Sequence, residues 1–227
     1  MEISFRKATR KSAKLRLALI APSGHGKTYG SLLIAKGLGG KTAMIDTESG
    51  RGELYGKEFD YDVVTMSAPY LPEKYIAAIT AAEEAGYDNI IIDSLSHVWS
   101  GSGGLLDQQG HIADSGKGNS FTAWRTITPK HNALIDKIIG SKCHIIATMR
   151  AKTDYIITEE NGRKEVKKVG LAPVQRDGLE YEFTVVFDIT KEHTLNVSKD
   201  STQLFDGTYP KLTEDIGKQL NSWLNVE

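Results

Sequence analysis

Residues 21–28 read Ala21-Pro22-Ser23-Gly24-His25-Gly26-Lys27-Thr28, a short run that crowds together two glycines, an ammonium and a hydroxyl. Glycines at alternate positions let successive backbone N–H groups turn inward on one anion. A helix that opens at the end of such a run points its positive end at the same spot. Lys27 then neutralises the outer phosphates of a nucleoside triphosphate, and Thr28 offers its hydroxyl to Mg2+. The run departs from the usual phosphate loop at one position, where Ala21 stands in place of the opening Gly. Nucleotide contacts are expected from Pro22, Ser23, Gly24, His25, Gly26, Lys27, Thr28 and Tyr29.

A metal on a phosphate chain needs a carboxylate, and Asn89-Ile90-Ile91-Ile92-Asp93-Ser94 supplies one at the end of an apolar run. Asp93 and Thr28 are the expected metal pair. Hydrolysis needs in addition a group that orients water or takes its proton. Ser94 follows Asp93 where many related sequences carry an acid, so the candidate moves to Glu48, at the end of Ile45-Asp46-Thr47-Glu48. A solvated carboxylate at a strand end is the competing reading of Glu48.

These residues meet only if the elements around them bring them to one edge. An apolar run over 15–21 precedes the glycines, and residues 28–37 carry Leu32, Leu33 and Ala35 at helical spacing. Short apolar runs over 41–46, 63–66, 89–93 and 143–149 read as further buried strands. Residues 72–85, with Pro72 in a first turn, and 121–139 read as helices. Strands alternating with helices imply a mostly parallel α/β sheet covered on both faces, with ligands at the carboxyl ends of its strands. Residues 100–119, with Gly101, Gly103, Gly104, Gly110, Gly116 and Gly118, read as a long irregular and functional loop. Asn161-Gly162 marks a β-hairpin. Strands over 182–189 and 194–198 and a helix over 213–224 complete the chain. The expected division is a basic arm (1–14), a core (15–200, with its hairpin at 154–169) and a helical tail (201–227).

The chain of 227 residues is 40% hydrophobic and 25% charged, enough for one sizeable core. Its net charge of -1 gives no broad positive field for holding a duplex. Basic residues do gather locally, at Arg6, Lys7, Arg10, Lys11, Lys14 and Arg16, and again at Arg163, Lys164, Lys167 and Lys168. Solvated surface is the plain reading of either group alone. The single cysteine, Cys143, has no disulfide partner and is expected in the core. No secretion signal and no run of about 18 apolar residues appears, so a cytoplasmic protein with no membrane partner is expected.

With Gly24-His25-Gly26-Lys27-Thr28, Asp93 and Asp46-Thr47-Glu48 placed in this order, the chain resembles a RecA-like P-loop ATPase core over roughly residues 15 to 200. It is most similar to the small phage-encoded members that assist recombination and single-strand annealing. The resemblance implies ATP and Mg2+ as ligands and Glu48 as the catalytic glutamate, the general base. It further implies Thr148 as a γ-phosphate sensor, with Met149 and Arg150 beside it. Two DNA-facing loops follow the Asp93 strand and the sensor strand, at residues 100–119 and 151–169. That places Arg163, Lys164, Lys167 and Lys168 against single-stranded DNA, with Trp99, Phe121 and Tyr155 near enough to stack bases. Oligomeric members reach into a neighbour's nucleotide with a Lys-x-Arg pair; here Lys199-Asp200-Ser201 keeps only the lysine, with Arg150 or Lys152 as substitutes for the missing arginine. A homo-oligomer, a single-strand-binding protein as partner, and the cytoplasm of a bacterial host complete the picture. Two other readings use the same residues: a small-molecule P-loop kinase, and a nucleotide-gated assembly module with weak catalysis.

Overall fold

The computed structural model describes residues 7, 10, 13–115, 119–160 and 163–225, with backbone alone for 120, 153–160 and 163–171. Strand β1 (Arg16–Ala21) is buried along its whole length because it lies inside an eight-stranded sheet. Its neighbours are β5 (His144–Glu160) on one side and β7 (Val185–Ile189) on the other, both parallel to it. Beyond β5 come β4 (Asn89–Asp93), β2 (Thr42–Asp46) and β3 (Asp62–Thr65), again all parallel. The antiparallel partners are β8 (Leu195–Asp200) on β7 and β6 (Arg163–Pro173) on β5. The mostly parallel α/β sheet expected from the sequence is therefore present.

Successive residues of a strand face opposite sides, and both sides here are covered. Ala18 and Ile20 of β1 pack with Tyr75 and Ile79 of α2 (Pro72–Glu84) and with Leu134 and Ile138 of α5 (Ser120–Ile139). Leu17 and Leu19 pack with Leu32 and Ile34 of helix α1 (Lys27–Leu38) and with Ile216 and Leu220 of α6 (Glu214–Leu224). This two-sided burial is why the central strands read as unbroken apolar runs. Cys143 is buried as expected, its thiol donating to the Tyr87 carbonyl at 2.9 Å. Among the described residues no helix is long and apolar enough to cross a membrane.

Helix α6 approaches α1 at two glycines. A methyl group on Gly217 would overlap the carbonyl oxygen of Ile34 and the Cα of Gly37, so only hydrogen fits there. Gly217→Ala is expected to cost about 1–3 kcal/mol, because a rigid backbone has to move rather than a side chain. The same change at Gly110, on an open helix surface, is expected to be neutral or slightly stabilising. Denaturant midpoints of the two variants check the contrast.

Three expectations change. β3 is not buried: it is the sheet's edge, paired only with β2, and Val64 is half exposed. The described part of residues 100–119 is not an irregular loop. Helix α3 (Ser96–Ser100) precedes them, Gly101, Gly103 and Gly104 form a tight turn, and α4 (Leu105–Asp114) follows. Gly110 sits inside α4 with open space around it, so its presence does not break the helix. Gly116 and Gly118 lie outside the described residues. The fifth strand does not stop at Met149; β5 runs on to Glu160 and pairs with β6, with a bulge between Asp154 and Tyr155. The turn residues Asn161 and Gly162 lie outside the described residues.

The amino-terminal basic group is divided as well. Arg16 is buried and donates to the carbonyls of Leu15, Cys143, Ser141 and Ile139, which ties β1 to the turn before β5. Burial pulls its pKa down to about 10. Arg10 donates to the Trp223 carbonyl and stands over that indole ring. Arg6 and Lys11 lie outside the described residues.

Candidate nucleotide site

The glycine loop links β1 to α1, as the sequence order requires. Gly24 and Gly26 both take left-handed backbone angles, with φ of 79° and 83°, which a residue with a Cβ adopts only at a cost. Gly26 is crowded too: a Cβ there would stand 3.0 Å from Nδ1 of His193, whose ring also meets the His25 carbonyl. Lys27 folds back over the loop, donating to the carbonyls of Ala21 and Pro22 at 2.9 Å each. Burial lowers its pKa, and the charges of Asp93 and Glu48 oppose that shift.

Strand β5 lies between β1 and β4, and this order sets the chemistry beneath the loop. From β5, Thr148 donates its hydroxyl to Oδ1 of Asp93 at 2.5 Å. From the first turn of α1, Thr28 donates to Oδ2 at 2.5 Å. Because the Thr28 proton is spent on Asp93, the lone pairs of that hydroxyl are free for a cation. Burial raises the Asp93 pKa and the two hydroxyl donors pull it back. One carboxylate and one hydroxyl are a sparse donor set, of the kind that suits Mg2+ held mainly by waters and phosphate oxygens. The residues fit the ion; bound there, it would screen the charge of the phosphates.

Glu48 is placed by its own turn. The buried Asp46 carboxylate accepts backbone N–H groups from Glu48 at 2.6 Å, Gly50 at 2.7 Å and Gly52 at 3.3 Å. Thr47 is fixed in parallel: its hydroxyl accepts from the Ser94 N–H at 2.8 Å and shares a hydrogen bond with Nδ1 of His97 at 2.6 Å. The His97 ring is stacked on Tyr70, and burial, with the charge of Arg150, lowers its pKa. Glu48 emerges from this brace into a cleft of about 560 Å3, lined also by Ser23, Lys27, Thr28, Asp93 and Arg150.

A family model described as an AAA domain matches residues 13–223. The chain belongs to the AAA-domain family. No curated protein matches it. This AAA domain is of the P-loop ATPase type, a nucleotide-binding class, and the cleft just described is where its glycine loop, Thr28, Asp93 and Glu48 converge.

Within the AAA domain the expected residues divide into those brought together and those kept apart. Lys27, Thr28, Asp93, Thr148 and Glu48 converge. Tyr29 lines the same cleft and makes edge contacts with Tyr55 and Phe59. Lys199 does not join them. It pairs in register with Val186, towards the amino-terminal end of β7, and its ammonium donates to the Tyr181 carbonyl at 2.6 Å. Arg163, Lys164, Lys167 and Lys168 lie on β6, and their side chains are outside the described residues, as is that of Tyr155. Trp99 is committed to a stack on Trp124 at 5.6 Å, whereas Phe121 is 82% exposed on the first turn of α5.

Sequence reasoning missed Arg51, Leu54 and Tyr55, which line the cleft from a short 3-10 turn over Arg51–Tyr55. The available signal was Gly50 and Gly52 directly after the acid, a spacing that turns the chain back on itself. It missed the structural weight of Asp46 and the part played by His193. No local pattern identifies His193, since its contact with the loop depends on the β7–β8 turn reaching across the sheet edge.

Proposed function

We propose that the protein binds and hydrolyses ATP and couples this to single-stranded DNA in recombination or annealing. The observation that carries the reading is a shared strand. Arg150 and Ala151 of β5 line the nucleotide cleft, and the same strand runs on, through the bulge between Asp154 and Tyr155, to pair with β6, which bears Arg163, Lys164, Lys167 and Lys168. A change in phosphate occupancy at one end of β5 is thus one strand away from a segment rich in lysine and arginine, the residue types that contact a nucleic-acid backbone. The protein acts as a homo-oligomer in this reading, because Lys199 stands outside the cleft of its own chain and any phosphate it meets belongs to a neighbour. A single-strand-binding protein is the natural companion for a protein that loads on exposed DNA.

The test measures ATP turnover with and without single-stranded DNA across a salt series. Stimulation at low salt is expected. Lys164→Ala with Lys168→Ala, two positions on one face of β6, should weaken DNA binding and flatten the log–log salt dependence by roughly 1.4, the share of two phosphate contacts on a single strand. Neither binding nor stimulation at any salt would remove DNA from the function. Phosphate transfer from ATP to a nucleoside or metabolite would replace it with a kinase.

A further inference from the structure

We propose that Arg150 is a catalytic residue with two alternative partners: the carboxylate of Glu48, as the structure holds it, and the terminal phosphate of a bound triphosphate. The inference rests on the nucleotide-hydrolysis reading and deepens it by assigning what makes the site respond to the third phosphate.

The contact is a full fork. Nε of Arg150 donates to Oε1 of Glu48 at 3.1 Å, and Nη2 donates to Oε1 and to Oε2 at 2.9 Å. A carboxylate has about four lone-pair positions. Three contacts from two nitrogens of one guanidinium therefore leave little of Glu48 with which to accept a water proton. A base clamped in this way is in the right place and in the wrong state.

The arginine is the member of the pair that is free to leave. Its side chain is 48% exposed against 15% for that of Glu48, and Glu48 is fixed through the Asp46 turn. The Arg150 backbone is pinned on every side. Its N–H donates to Oγ of Ser96 at 2.9 Å, its carbonyl accepts from the Val174 N–H at 2.7 Å, and it pairs in register with Ala21 at the mouth of the glycine loop. An exchange of partner therefore needs side-chain torsions only, with no movement of β5. The guanidinium already borders the cleft that Lys27, Thr28 and Asp93 share. A terminal phosphate carries more charge than a carboxylate and offers oxygens in a geometry that the planar fork matches. A diphosphate places no such group beyond Lys27. The third phosphate thus draws off the arginine and in the same movement uncovers the base, so that hydrolysis is gated by the group to be hydrolysed.

Binding tests this without reference to turnover. Affinities for a non-hydrolysable ATP analogue and for ADP are measured by calorimetry in the full chain and in Arg150→Ala, Arg150→Lys and Glu48→Gln, with thermal melting as the check on folding. Arg150→Ala should lose roughly tenfold or more in triphosphate affinity while ADP affinity stays within about threefold. Arg150→Lys, which keeps the charge and loses the fork, should recover part of the difference. Glu48→Gln should bind the triphosphate several-fold more tightly, since the competing partner has been weakened. A purely architectural ion pair behaves otherwise: either substitution lowers the melting temperature and both leave the ratio of triphosphate to diphosphate affinity at its original value, which would overturn the proposal. If the unaltered protein binds neither nucleotide and Lys27→Ala changes nothing, the nucleotide reading itself fails and takes this assignment with it.

Discussion

Lys27→Ala lowers triphosphate affinity by roughly 100-fold and removes measurable turnover. The magnitude follows from where the ammonium sits. It is half-buried, and two of its three donors are spent on the Ala21 and Pro22 carbonyls, so it braces the loop as well as meeting the ligand. Its loss removes a charge-assisted contact worth about 1.5–3 kcal/mol and slackens the bend on which the inward-facing amides depend. Neighbouring charge makes the loss worse. Asp93 and Glu48 line the same cleft, and without the ammonium both carboxylates face the incoming phosphates less well compensated. Lys27→Arg does not restore the site, because a planar fork cannot bridge two carbonyls on a six-residue bend as a compact ammonium does. Calorimetric titration with an ATP analogue gives the affinity, and release of inorganic phosphate gives the turnover. Unchanged values in both would mean that the glycine loop is not a phosphate site at all.

The parts of this site that the sequence made legible are those whose logic is local. Gly24, Gly26, Lys27 and Thr28 act within one turn of chain, so their spacing carries their geometry. Asp93 and Glu48 end apolar runs, and in a parallel sheet the ends of such runs share one edge. Other features depend on which strand lies beside which. Thr148 reaches Asp93 because β5 lies between β1 and β4, and no spacing in the chain reports that order. The pairing of Glu48 with Arg150 joins positions 102 residues apart. The α3–α4 region was misread because glycines were taken as breakers throughout, whereas those of the turn pack against backbone and Gly110 faces open space. Arg16 reads as surface charge in the sequence, since nothing local reveals that the carbonyls of Ile139, Ser141 and Cys143 wait for it before β5.

Glu48→Gln separates chemistry from binding. The amide keeps the shape and loses the basicity, so turnover should fall by roughly 10²–10⁴-fold while triphosphate affinity does not decline. In the step at issue the oxygen of a water bonds to the terminal phosphorus, the bond from that phosphorus to the ADP oxygen breaks, and one water proton passes to Glu48. The acid must therefore be ionised, and pH becomes a second readout. Burial pushes the Glu48 pKa up, yet the Arg150 fork outweighs it and holds the carboxyl below its ordinary value, with help from His97 and Arg51. A base with a lowered pKa stays competent further into acid, so kcat/KM, which reports the free enzyme, should keep its plateau down to the lower edge of the carboxylate range. Once a triphosphate takes Arg150 away and brings its own negative charge near, the same carboxyl loses its main stabiliser and its pKa rises. The acid limb of kcat, which reports the loaded enzyme, should then lie at higher pH than that of kcat/KM. Superimposable acid limbs would show that Glu48 keeps its arginine throughout the cycle, and a Glu48→Gln variant with full turnover would assign the proton to another group.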